Sequence, residues 1–335
     1  NGANGKAMFG LSQLVYHENL FNPITVKPNT GTHSYMGSVS GDFDGDGQDD
    51  FASLNTVAEN NVIQTYRIIN ETISLAYSCN MAGVYRYLAA GNIIVSSPGD
   101  ELVSIDIKNN ELVLFKKQGN MLVLVSRTNI SGGNDSFAGL AVGEFNSSYC
   151  GKEIMINVAQ GESHLFKMYG YDPAIGTLVE IPLSSNTTNT LEIGGFTVGD
   201  FDGNGVDEIA MYSNLSTDTP VKIFSVVNGD RLRNVSDLKE SNLNASCNGI
   251  ASGDFDGNGV DELILHKQLS PLDGAFQTYD ISSGFVKKGE EVFPLIQGNG
   301  IMCKLKLAKH PLSDAVVTFR NFDGQISVFN LNVKN

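Results

Sequence analysis

Three times the chain writes the same eleven residues with small changes. Gly41 to Phe51 reads GDFDGDGQDDF, Gly199 to Ile209 reads GDFDGNGVDEI, and Gly253 to Leu263 reads GDFDGNGVDEL. Each copy sets side-chain oxygens at alternate positions: Asp42, Asp44 and Asp46; Asp200, Asp202 and Asn204; Asp254, Asp256 and Asn258. An acidic residue follows four positions later, at Asp50, Glu208 and Glu262. Ca²⁺ takes six to eight oxygens, and a tight loop with oxygens at positions 1, 3, 5 and 9 supplies most of them. The backbone carbonyls of Gln48, Val206 and Val260 are expected to add the position-7 ligand. The glycines between the acids let the backbone curl through left-handed conformations. The spacing predicts about three calcium loops.

An EF-hand would need a bidentate Glu at position 12 and a helix on either side. Position 12 here is Ser53, Met211 or Leu265, and the segments that follow, FASLNT, IAMYSN and LILHKQ, read as strands. A plain Asp-Gly turn needs one or two such residues, not five oxygens at fixed spacing three times over.

The glycine that opens each loop sets a period. Gly41, Gly91, Gly143, Gly199 and Gly253 recur at 50 to 56 residues, with Ala308 in the sixth place. Around each lie a short run of small or apolar residues, the loop and three further strand-like runs. No segment shows capped helical spacing. A strand-only repeat of this length predicts an all-β fold, a β-propeller of four-stranded blades spanning 1–335 as one domain. Dividing 335 residues by the period gives six blades. The runs at 11–18 and 21–27 look like the end of a preceding unit, so residues 1–30 are expected to complete the last blade and close the ring. One strand is left over in that tally, which keeps seven blades, one incomplete, as the alternative. Units two, three and six have degenerate loops. Unit two keeps Asp100 and Glu101; unit three keeps Glu144 and Asn146, with Lys152 where an acid is expected; unit six keeps Asp314. These three are expected to bind no calcium.

The net charge is −15, but thirteen of the acidic residues sit in the three intact loops. The acidity therefore belongs to presumed metal sites, and no basic stripe exists to neutralise phosphates, which argues against nucleic acid. No apolar run reaches about 18 residues, so no membrane insertion is expected. Cys79, Cys150, Cys247 and Cys303 lack CxxC spacing; two disulfides and four free thiols both remain open. Sequons occur at Asn70, Asn129, Asn134, Asn146, Asn186, Asn214, Asn234 and Asn244. With the calcium loops, these glycosylation candidates point to an extracellular, secreted or cell-surface protein. The opening NGANGKAM has no signal-peptide pattern, which fits a processed form or part of a longer chain.

The recurring GDFDGDGxxD loop followed by a strand resembles the FG-GAP/VCBS repeat family, which includes the integrin α-subunit propeller. The resemblance implies a calcium-bearing propeller with the loop Asp/Asn residues as ligands. It leaves function open. No nucleophile elbow is present, since Gly37-Ser38-Val39-Ser40-Gly41 has Val at the central position, and the five histidines, His17, His33, His164, His266 and His310, are scattered. The expectation is a non-catalytic adhesion or scaffold module that binds a protein partner or copies of itself. A lectin binding glycans is the alternative, with Tyr35, Tyr85 and Phe137 as candidate stacking aromatics; a polysaccharide lyase ranks third.

Overall fold

The computed structural model describes residues 21–27, 35–57, 60–69, 72–131, 136–160, 163–184, 187–188, 193–213, 221–238, 246–268, 273–282, 284, 286–294, 301–306, 314–319 and 325–331. Among them there is no helix. The strands form six antiparallel sheets, the blades. Inner strands are Tyr35–Gly41, Tyr85–Gly91, Ser136–Gly143, Ile193–Gly199, Ser246–Gly253 and Ile301–Lys306. Second strands are Asp50–Val57, Glu101–Asp106, Glu153–Gln160, Glu208–Ser213, Glu262–Gln268 and Asp314–Phe319. Third strands are Asn60–Ile69, Glu111–Gln118, Ser163–Asp172, Val221–Val227, Asp273–Asp280 and Ile326–Leu331. Outer strands are Thr72–Met81, Met121–Asn129, Thr177–Ile181, Arg231–Leu238, Val286–Pro294 and, for blade six, Phe21–Lys27.

Each inner strand adjoins the inner strands of the blades before and after it, and blade six adjoins blade one. The N-terminal strand pairs antiparallel with the last strand of the chain, Phe21 opposite Leu331 and Lys27 opposite Ile326. The structure is a six-bladed β-propeller, closed by strands from both ends of the described chain. That pairing covers the edge of Ile326–Leu331, which would otherwise be left open to pair with another chain. The seventh blade is not needed, because Phe21–Lys27 supplies the outer strand that the C-terminal unit lacks. The expected strand at 11–18 lies outside the described residues.

Hydrophobic packing explains why the ring holds. The buried apolar residues fall into six clusters, and each joins two adjacent blades. Second strands are buried on both faces, as in Glu101–Asp106, where every residue is buried. Third strands carry an aromatic at one register position in all six blades: Tyr66, Phe115, Tyr169, Phe224, Tyr279 and Phe329 face Phe51, Leu102, Ile154, Ile209, Leu263 and Val316. Each of those aromatics is at most 6% exposed, worth about 1.5–3 kcal/mol apiece by area. A bulge interrupts the inner strand of five blades, next to Gly37, Leu88, Gly139, Gly195 and Gly249. At Gly139 an added Cβ would lie 1.9 Å from Phe196 of the next blade, so the close approach of neighbouring inner strands requires glycine there.

Candidate metal-binding loops

The described hairpins between inner and second strands, those of blades one to five, emerge at one end of the ring. In the intact loops the first Asp organises the backbone. Asp200 accepts hydrogen bonds from Asn204 N (2.9 Å) and Gly205 N (2.8 Å), and Asp254 accepts from Gly257, Asn258 and Gly259 N at 2.8, 2.9 and 3.0 Å. Asp42 does the same for Gly45, Asp46 and Gly47. The curl runs through left-handed glycines, with φ of 74° at Gly45 and Gly203 and 79° at Gly257. At Gly45 an added Cβ would sit 1.8 Å from the Pro98 carbonyl oxygen. The position-5 side chain then accepts the position-7 amide: Asp46 from Gln48, Asn204 from Val206 and Asn258 from Val260.

This wrapping brings carboxylates together. Oxygens of Asp200, Asp202 and Glu208 lie within 4.8 Å of one another, as do those of Asp254, Asp256 and Glu262 and those of Asp42, Asp44 and Asp46. Three acidic clusters can each hold a metal ion. An all-oxygen donor set suits a hard divalent cation rather than a soft one. Burial, with Asp202 close by, pushes Glu208 up to about 8, and burial with Asp256 does the same for Glu262. A bound cation would reverse that cost.

The position-9 Glu does two jobs at once. One oxygen of Glu208 accepts from Phe201 N (3.0 Å), and one of Glu262 accepts from Phe255 N (2.9 Å), while each residue also joins its cluster. The same clamp survives where the cluster is gone. Glu101 Oε2 accepts from Ile93 and Ile94 N at 3.1 and 2.8 Å, and Glu153 Oε2 from Phe145 and Asn146 N at 2.8 and 3.1 Å. Both residues are fully buried. This corrects the sequence register of unit three: Glu153, opposite Gly143, fills position 9, and Lys152 stands one place earlier. The inserted residue in that loop had shifted the alignment.

Position 8 belongs to the neighbouring blade. Asp100, Asp207, Asp261 and Asp314 each accept the amide of Asp42, Glu144, Asp200 and Asp254 in the preceding blade, at 2.7–3.2 Å. Each donates its own amide back to the same residue's carbonyl. Lys152 N bonds Asn92 O at the joint of blades two and three, and Asp49 accepts from Lys306 N to complete the ring. Asp207 and Asp261, each one residue before its loop's position-9 Glu, are therefore inter-blade clasps. In blade six, Leu305 pairs with Ala315 and stands in the opening glycine's place, which the sequence had assigned to Ala308.

Four of the clasp residues, Asp49, Asp100, Lys152 and Asp207, line an axial cavity of about 320 Å³, walled by small inner-strand residues such as Ala89, Ala141 and Ala251. Lys304 projects into it, with Nζ 3.6 Å from Asp261 Oδ2. Partial burial there favours the neutral amine, but Asp261, Asp314, Asp207 and Asp49 outweigh it and hold Lys304 above the usual lysine range.

The first loop is wired differently. Asp50 is not in its cluster; both of its oxygens accept from Arg67 Nε, at 3.1 and 3.2 Å. Arg67 Nη2 also contacts Asp44 Oδ2, and Lys117 of blade two reaches the same oxygen at 3.0 Å. Nothing local in the sequence marks these cations.

Of the sequons, Asn129 and Asn234 are exposed, while Asn146 is half-buried and donates to Gly229 O at 3.4 Å. Asn70, Asn134, Asn186, Asn214 and Asn244 lie outside the described residues, as do His17, His33 and His310. His164 Nδ1 is 2.8 Å from Asn157 Oδ1. His266 is buried, with neither ring nitrogen hydrogen-bonded. Cys79, Cys150 and Cys303 are free thiols. Tyr85, a candidate sugar platform, is 2% exposed and accepts a hydrogen bond from Arg127.

No family model matches this chain, and no curated protein matches it. Solved structures do share its fold. The structure of BBS1N in complex with ARL6DN aligns over 94% of this chain and 98% of that one, with a TM-score of 0.57 and 10% identity. A protein from Lactobacillus plantarum aligns over 91% and 87%, with a TM-score of 0.51 and 10% identity. At such identity the likeness extends to the fold alone. The class is thus a six-bladed β-propeller bearing three acidic loops able to hold metal.

Proposed function

We propose that the protein is a calcium-stapled, extracellular adhesion or scaffold propeller that acts by binding another protein or copies of itself rather than by catalysis. The observation that carries this reading is the convergence of Asp200, Asp202 and Glu208, and of Asp254, Asp256 and Glu262, each on a hairpin whose backbone is already curled to meet an ion. Calcium outside cells is abundant enough to fill such weak-to-moderate sites. The resemblance of the loops to FG-GAP/VCBS repeats supports the same choice of ion. An ion that binds only the folded hairpin stabilises the blade by mass action, which fits a structural role. The loops and clasps lie at one end of the ring, so ion binding stiffens that end.

The test is retention of the purified protein on immobilised extracellular proteins and glycans, with sedimentation velocity for self-association, in calcium and in chelator. Saturable binding to a protein or to itself that weakens in chelator supports the reading. Binding confined to glycans, or cleavage of a polysaccharide, would overturn it.

A further inference from the structure

The three acidic loops share one backbone but not one charge environment. In loop one, four carboxylates meet two of the protein's own cations: Arg67 spans Asp44 and Asp50, and Lys117 reaches Asp44 from the third strand of blade two. In blades four and five the residues at the register position of Arg67 are Ser225 and Asp280. Ile281 and Leu331 occupy the position of Lys117 in the blades that follow them. Among the described residues, no lysine or arginine pairs with Asp200, Asp202, Glu208, Asp254, Asp256 or Glu262. The fourth ligand differs as well. Glu208 and Glu262 reach their clusters, whereas Asp50, one methylene shorter, is turned to Arg67.

We propose that loop one is closed by Arg67 and Lys117 as resident cations, and that only the loops of blades four and five take a metal ion. This rests on the calcium reading above and refines it. A divalent ion entering loop one would sit beside two positive charges and would have to displace them, because Coulomb repulsion in a partly buried site is weakly screened. The loop instead becomes a joint between blades: Lys117 ties blade two to the hairpin of blade one. Two hairpins are then stapled by calcium and one by salt bridges, so one side of the ring keeps its hairpin when calcium is withdrawn.

Bound calcium per chain, measured by equilibrium dialysis of chelator-stripped protein at ~1 mM free calcium, tests this. The expected value is two. Asp202→Ala and Asp256→Ala each lower it to one, and Asp44→Ala leaves it at two. The double variant Arg67→Gln/Lys117→Gln raises it to three. Three ions in the unaltered protein, with Asp44→Ala lowering the value to two, would overturn the proposal while sparing the calcium reading. So would a folded double variant that stays at two. No bound ion in any variant would overturn both. Thermal melts of every variant confirm that the stoichiometry refers to folded protein.

Discussion

Replacing Glu262 by Gln should change stability with opposite sign in chelator and in its response to calcium. Glu262 is 2% exposed, clamps Phe255 N and Asp256 N, and is pushed up to about 8 by burial and by Asp256. In the ion-free protein at pH 7 the folded state holds a proton on it that the unfolded chain, near 4.5, has released. A raised carboxyl destabilises the fold as pH climbs from the unfolded value toward the folded one; over 2.5 pH units this is on the order of 3 kcal/mol. Gln keeps an oxygen for the two amides and carries no charge, so it removes that cost. The variant is expected to be more stable than the parent in chelator by up to that amount. With calcium at 100 times Kd, binding adds about 2.7 kcal/mol to the parent. Losing a charged ligand weakens affinity on the order of 100-fold, which leaves the variant a gain of about 0.4 kcal/mol. Urea denaturation at pH 7, with and without calcium, reads both quantities. A variant less stable in chelator whose calcium increment equals that of the parent would refute the reasoning.

Three further outcomes follow from the same geometry. Glu101→Ala leaves the buried amide of Ile94 without its acceptor, while Ile93 N keeps Gly91 O at 2.8 Å, and should cost about 1–3 kcal/mol, equally in calcium and in chelator, because unit two has no acidic cluster; a calcium-dependent loss would contradict this. Gly45→Ala meets the Pro98 carbonyl at 1.8 Å with φ at 74°, and should lower the melting temperature more than Gly47→Ala, whose Cβ would meet nothing within 4 Å. Burial lowers His266 to about 4; the unfolded chain takes up a proton there first, so stability is intact above about 6.5 and falls by roughly 3 kcal/mol as pH drops toward 4. His266→Leu should flatten that acid limb in pH-dependent urea melts, and an unchanged limb would count against the buried neutral imidazole.

The ring and its loops were legible because their signals are local. A period of glycines and acids survives in one dimension, and strand-like runs between them give the layers of each blade. Closure by the chain start was legible too, since the last unit lacked a strand and the runs at 11–18 and 21–27 were on offer, of which Phe21–Lys27 pairs with the last strand. What stayed hidden depends on neighbours distant in sequence. Asp207 and Asp261 look like spare ligands until the ring sets them against Glu144 and Asp200 of the preceding blade. Arg67 and Lys117 reach loop one from other strands, and only strand register shows that blades four and five lack counterparts. Glu153 was missed through a single inserted residue, although its role is plain once it is paired with Gly143. The six third-strand aromatics were in view but unread, because their common register appears only when strands are aligned by pairing rather than by spacing from the glycine.

Anomalous diffraction from crystals grown in calcium tests the account at its root. It predicts ion peaks at 2.3–2.6 Å, the usual calcium–oxygen distance, from carboxylate oxygens of Asp200, Asp202 and Glu208 and of Asp254, Asp256 and Glu262. Featureless maps at both hairpins in fully calcium-loaded crystals would contradict it.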